Sequence, residues 1–264
     1  MEQTARRQFL EDYRTIRHAE SRGSDDAAYY LALPYRDLSA RNARQWRIRA
    51  KSYRYFERKI LAGIERAAGR SLEILDLGAG NAWMSYRLAL RNHRPIALDI
   101  FNDPKDGLRA ARVYPRRFPV LEAEFDQLPL PQASADIAVY NSSIHYSVNY
   151  RRTLAEARRV LRPGGSVVIL DSPVYRKREH GEQMVAERHS KFERRYGFRS
   201  DSLPSIEYFD EAMLVELSRE LNMTWTIHRP WYGWQWHLRP LKARLGGRRP
   251  PSRFWILVGR FGRP

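Results

Sequence analysis

The chain contains no cysteine. That removes disulfides, thiolate nucleophiles and every cysteine-ligated zinc or iron–sulfur site. It also lacks any run near the roughly 18–20 apolar residues that span a bilayer. The first twenty residues are charged throughout and hold no apolar signal core. A cytoplasmic protein without a transmembrane segment is the expectation. Lysine is scarce: it stands only at 51, 59, 105, 177, 191 and 242, so arginine supplies the remaining 41 of 47 basic residues. The net charge of +17 fits attraction to nucleic acid, anionic lipid or a phosphorylated substrate, and equally a bare compositional bias toward arginine.

What is present is a chain of 264 residues, 43 % apolar. That length and composition suit one large domain, or one domain with a cap. Residues 1–22 read as a charged helix with a thin apolar stripe of Phe9, Leu10, Tyr13 and Ile16. Residues 40–68 form a longer helical pattern, with Trp46, Tyr53, Phe56, Ile60, Leu61 and Ile64 at spacings of three, four and seven. Gly69 ends it. Short apolar runs at 72–77, 95–100, 118–123, 135–140 and 166–170 then alternate with helical patterns at 82–92, 103–113 and 150–161, with a sharp turn at 162–165. Such alternation predicts βαβ units and a parallel sheet. A polar, basic stretch to about Ser205 reads as a lid. A helix at 207–221 follows, then closing strands at 223–228 and 254–258. Between these lie a tryptophan-rich segment and a basic loop at 242–251. The expected organisation is an N-terminal helical cap, 1–69, and a main domain, 70–264, with 171–206 as a lid-like insertion.

The strongest motif is Asp76-Leu77-Gly78-Ala79-Gly80-Asn81 at the end of the first strand. Glycines at a strand-to-helix turn let the backbone approach a ligand, and the helix amides point at it. Asp99 ends the next strand, 19 residues past Gly80, where a ribose-binding carboxylate is expected. Two cofactor classes fit, a dinucleotide or an adenosyl compound. The dinucleotide fingerprint wants a third glycine where this chain has Trp83, which argues against a pyrophosphate.

Together with Ala97-Leu98-Asp99, Leu128-Pro129-Leu130-Pro131, Ala135-Asp136-Ile137 and the run Leu154 to Gly165, this motif resembles the class I S-adenosylmethionine-dependent methyltransferases, in the branch that includes quinone-biosynthesis enzymes. The resemblance covers about residues 72–171. It implies a doubly wound, seven-stranded, mostly parallel α/β sheet of the Rossmann-like methyltransferase kind, with one antiparallel strand. It implies S-adenosyl-L-methionine as the cofactor. Gly78, Ala79 and Gly80 would lie beside its methionine part, with Asp76 supporting the turn or meeting the amino group. Asp99 would take the ribose hydroxyls, with Ile100 against the adenine. Glu124 and Phe125 would sit at the adenine edge. Asn81 stands where the family has a third glycine, and Glu124 where it has aspartate.

The loop Asn141 to Tyr146 follows the fourth strand and should face the transferred group. His145 is the best general-base candidate there, although a packing role fits as well, and methyl transfer can proceed by positioning alone. Arg49 and Tyr53 share a helix face with Trp46. They either face the cofactor carboxylate and pocket or pack an aromatic stripe on the sheet. Tyr146, Tyr175 and Trp234 are further candidates for the acceptor wall. His180, Glu182 and His189 follow no standard ligand spacing, so no metal site is expected. A small-molecule acceptor is the leading expectation. A nucleic-acid acceptor is the alternative, disfavoured because the loop after the fourth strand lacks an Asn/Asp-Pro-Pro-aromatic pattern and no RNA-binding module is recognisable. A non-catalytic partner protein is a third reading, and the oligomeric state stays open.

Overall fold

The computed structural model describes residues 3–197 and 202–262. Helix α1 (Gln3–Ala19) and the short α2 (Ala27–Ala32) precede α3 (Ala43–Tyr55), which runs through a π-helical turn at Phe56–Leu61 into α4 (Ala62–Ala68). Then come β1 (Glu73–Leu77), α5 (Trp83–Leu90), β2 (Arg94–Asp99), β3 (Val120–Glu122), β4 (Ala135–Asn141), α6 (Tyr150–Val160) and β5 (Leu161–Leu170). The remainder is β6 (Val174–Tyr175), α7 (Arg178–Tyr196), β7 (Phe209–Asp210), α8 (Glu211–Glu220), β8 (Met223–His228), α9 (Trp234–His237), α10 (Arg239–Leu245) and β9 (Ile256–Phe261).

The main sheet has seven strands in the order β3-β2-β1-β4-β5-β9-β8. All neighbours from β3 to β5 pair in parallel, and β9 runs antiparallel between β5 and β8. This is the doubly wound architecture expected from sequence. The central strands are continuous apolar runs because helices cover both faces. One buried cluster joins Trp46, Phe56 and Leu61 of the N-terminal helices to Ile74, Ile137 and Val168 on one face of the sheet. The other face packs Leu75, Ala138 and Ile169 against Leu154, Ala157 and Leu217. The helices 43–68 therefore share a core with the sheet rather than standing apart from it.

Several local expectations are corrected. The helix expected at 103–113 is only a 3-10 segment at Leu108–Val113. Asp103 instead accepts from the Lys105 and Asp106 amides in a loop. The turn at 162–165 lies inside β5, as a bulge: Ala135 pairs with Leu161 but Ile137 with Ser166. The lid stretch contains a 19-residue helix, α7. The basic loop begins inside α10. The last strand ends at Phe261, three residues beyond its expected limit.

Candidate active site

A cavity of about 320 Å³ opens at the carboxyl ends of β1, β2 and β4, the place where open α/β sheets take ligands. Its floor is the glycine turn. The Gly78 and Ala79 amides both donate to Leu98 O, at 2.7 and 3.0 Å. Gly78 sits at φ +75°, and a Cβ there would lie 2.3 Å from Ser143 Cβ, so only glycine fits the turn against the β4 loop. Asp99 Oδ2 accepts from the Gly80 amide at 2.7 Å and Oδ1 from the Phe101 amide at 2.9 Å. Each carboxylate oxygen keeps a second lone pair. Burial raises the Asp99 pKa, against the lowering effect of these amide bonds.

Of the sequence candidates, Gly78, Ala79, Gly80, Asp99, Ile100, Glu124, Phe125, Asn141, Arg49 and Tyr146 all line this cavity. Phe125 is steadied edge-on by Tyr140, ring centroids 5.6 Å apart. Arg49 lies over the Trp46 ring, 4.9 Å from its centroid, and donates to Ser142 Oγ at 3.3 Å. It makes no ion pair among the described residues. Burial and the nearby Arg22 and Arg17 lower its pKa. Asn81 also lines the wall; its side chain accepts from the Trp83 amide at 3.3 Å, and its carbonyl from Tyr114 Oη at 3.0 Å. The residue in the third-glycine position thus closes a side-chain turn at the entry to α5, one residue before its N-cap Ala82.

Five candidates stand elsewhere. Asp76 is buried under the turn and accepts from the Ser85 amide and hydroxyl at 3.1 and 2.7 Å. Burial pushes its carboxyl up to about 6. It ties α5 to β1 and does not line the cavity. Tyr53 is corrected to a core residue: it packs edge-on behind Trp83, centroids 5.3 Å apart. Tyr175 is corrected likewise; it is buried in β6, and its hydroxyl accepts from Arg249 at 3.1 Å. Trp234 is 75 % exposed on α9 and lines neither this cavity nor its neighbour. His145 lines neither this cavity nor its neighbour. Its ring lies against Tyr146, 4.6 Å between centroids, with Nδ1 3.3 Å from Ser172 Oγ. Burial, with Arg188 and Arg49 nearby, lowers its pKa to about 3, so the ring is neutral at neutral pH and a weak base.

Sequence reasoning missed the roof. Phe9, Tyr13 and Arg17 of α1 close the cavity from above. Arg17 is ion-paired with Asp106, and Tyr13 meets Phe101 and Tyr146 edge-on, at 5.0 and 5.7 Å. The apolar stripe of α1 was the available signal, but nothing in it named the surface it covers. A second cavity of about 240 Å³ shares Phe9, Tyr13, Arg17, Arg49, Tyr146 and Leu203 with the first. It adds Arg22 and Arg188. Arg22 Nη1 and Arg188 Nε are buried and have no hydrogen-bond partner among the described residues.

This sheet order and this glycine turn define a class I S-adenosylmethionine-dependent methyltransferase fold. The methyltransferase domain family matches residues 75–169, so this segment is a methyltransferase domain, and S-adenosylmethionine is its cofactor. The chain is 35 % identical over 102 residues to a dimethylglycine N-methyltransferase of Parasynechococcus marenigrum, covering 37 % of this chain and 36 % of that protein. It is 31 % identical over 128 residues to a malonyl-[acyl-carrier protein] O-methyltransferase of Hahella chejuensis, covering 41 % and 43 %. The chain thus spans under half the length of these curated relatives. The fold matches an S-adenosylmethionine dependent methyltransferase from Mesorhizobium loti with a TM-score of 0.52, at 18 % identity over 72 % of this chain and 90 % of that one.

Proposed function

We propose that the protein transfers a methyl group from S-adenosylmethionine to a small acceptor that carries a carboxylate or phosphate. The observation that carries this reading is the pair of joined cavities: one over the glycine turn, one rich in arginine, sharing Tyr13, Arg49 and Tyr146 as a common wall. When bound, the cofactor supplies an electrophilic methyl on a sulfonium.

The residues present fit that group. Asp99 has lone pairs for two ribose hydroxyls. Phe125 and Ile100 offer an apolar wall for adenine. Arg49, held on Trp46 with no carboxylate partner among the described residues, fits the carboxylate of the amino-acid end. Tyr13 and Phe9 exclude water from above. Arg22 and Arg188 are paired with Glu20 and Glu207, but each keeps one buried guanidinium nitrogen without a partner among the described residues, which suits an anionic acceptor. His145 supports Tyr146 rather than removing a proton, so catalysis rests on orientation of an acceptor that is already nucleophilic. Among the relatives, one name specifies dimethylglycine and another malonyl-[acyl-carrier protein]; both acceptor names fit a carboxylate-bearing acceptor.

The test is transfer from methyl-labelled cofactor to a panel of small carboxylates, phosphates, neutral amines and RNA. Label on the anionic small molecules supports the proposal. Label on RNA alone, or on neutral acceptors alone, contradicts it.

A further inference from the structure

An exposed apolar stripe that lines neither cavity lies on α9 and α10. Trp234, Leu238, Leu241 and Leu245 are 75, 44, 54 and 80 % exposed. The two helices are nearly continuous: the Leu238 amide donates to Trp234 O at 2.9 Å, and the Lys242 amide to Leu238 O at 3.0 Å. At 3.6 residues per turn the four side chains fall within an arc of about 60°. Amphipathic helices turn such a stripe inward; this one faces out. Trp231, 53 % exposed, extends it, packed edge-on against Trp234 at 4.9 Å.

The stripe is held firmly. Tyr232, beneath it, is buried; its hydroxyl donates to Phe254 O at 2.8 Å, and its carbonyl accepts from Lys51 Nζ at 2.6 Å. Trp236 packs inward on Phe254, 5.1 Å between centroids, with Arg239 stacked over it. The outer face is therefore a built surface.

Its charge selects the partner. Residues 221–264 contain nine basic residues and no aspartate or glutamate. Lys242 and Arg244 flank the stripe, about 80° to either side, and Arg248 follows it; all three are exposed and make no ion pair among the described residues. An apolar stripe with tryptophan, flanked by unpaired cations, matches the interface of an anionic bilayer: the apolar side chains enter the acyl boundary while the cations meet headgroup phosphates. No helix among the described residues is long and apolar enough to cross a membrane.

We propose that α9–α10 is a membrane-surface docking element that binds bilayers containing anionic lipid. The test is flotation with vesicles of phosphatidylcholine alone and of phosphatidylcholine mixed with phosphatidylglycerol, at low and physiological salt. The wild-type chain is expected to float with the anionic vesicles only. The double variant Leu241→Glu/Leu245→Glu alters two exposed side chains, keeps the thermal transition, and is expected to weaken partitioning about tenfold or more. The triple variant Lys242→Gln/Arg244→Gln/Arg248→Gln is expected to weaken binding and flatten its salt dependence. No flotation with anionic vesicles at low salt would overturn the proposal, as would flotation that both variants leave unchanged. A wild-type dimer in sedimentation velocity that the double variant converts to monomer would assign this face to a second copy of the chain and equally overturn it.

Discussion

Ser143 stands where a side chain on Gly78 would have to go. The two meet because Ser143 Oγ donates to Leu77 O at 2.5 Å, which pins the β4 loop onto the end of β1. A Cβ at Gly78 would come 2.3 Å from Ser143 Cβ, on a backbone at φ +75°. Gly78→Ala is therefore expected to cost roughly 2–4 kcal/mol from left-handed strain plus overpacking. Chemical denaturation measures this, and an unchanged midpoint would show that the turn relaxes freely.

The environment of His145 leads to a pH prediction. Its pKa is lowered by burial to about 3, below the ordinary value near 6.5. The folded protein thus binds fewer protons than the unfolded chain between those values. The resulting stability is present above about pH 6.5 and is lost as pH falls toward 3. His145→Asn should make that acid loss shallower, read as unfolding free energy against pH. It should also leave turnover without any inflection between pH 6 and 7.5. A wild-type inflection near 6.5 that disappears in the variant would show that His145 works as a base.

Asp136 also loses its contribution on acidification, but because its charged form is stabilised rather than its neutral one. Burial alone would push its carboxyl up, but hydrogen bonds from Arg70, the Glu73 amide and Arg162 outweigh this and hold it at about 2. The stability it gives is present above about pH 4 and disappears as pH falls through 2. Because Arg70 is half exposed, screening limits the effect of Asp136→Asn at neutral pH to about 1–2 kcal/mol. Wild type and variant should converge near pH 2; a constant gap down to that pH would place the cause in packing.

Arg49 should discriminate between two ligands. Arg49→Met is expected to weaken S-adenosylhomocysteine binding about tenfold to a hundredfold, the value of one charge-assisted hydrogen bond. Binding of 5′-methylthioadenosine, which lacks the amino acid, should stay unchanged. Equal losses for both would move Arg49 away from the carboxylate end.

The floor of the site was legible because it is local. A strand, a glycine turn and an acid at the next strand end are set by residues within about one βαβ unit, so Gly78, Gly80 and Asp99 could be placed from the sequence alone. The roof was not. Tyr13 and Arg17 reach Phe101 and Asp106 across some ninety residues of chain, and an apolar stripe does not name the surface it covers. Aromatic spacing misled for the same reason. Tyr53 and Trp46 share a helix, yet Trp46 reaches the cavity while Trp83 stands between it and Tyr53. Trp234 was read as an acceptor wall because tryptophan suits flat ligands, but its anchors, Tyr232 and Trp236, turn it outward.

In the proposed reading, Asp99 and the Gly80 turn hold an adenosyl cofactor. Calorimetric titration of S-adenosylhomocysteine, with NADH as comparator, tests it most directly in wild type and Asp99→Asn. Asparagine keeps one oxygen for the backbone amides and loses the charge that the ribose hydroxyls need. The expected result is binding of the adenosyl ligand but not NADH, weakened about tenfold to a hundredfold in the variant at an unchanged thermal transition. Equal affinity in the two proteins, or preference for NADH, would rule out Asp99 as the ribose ligand of an adenosyl cofactor.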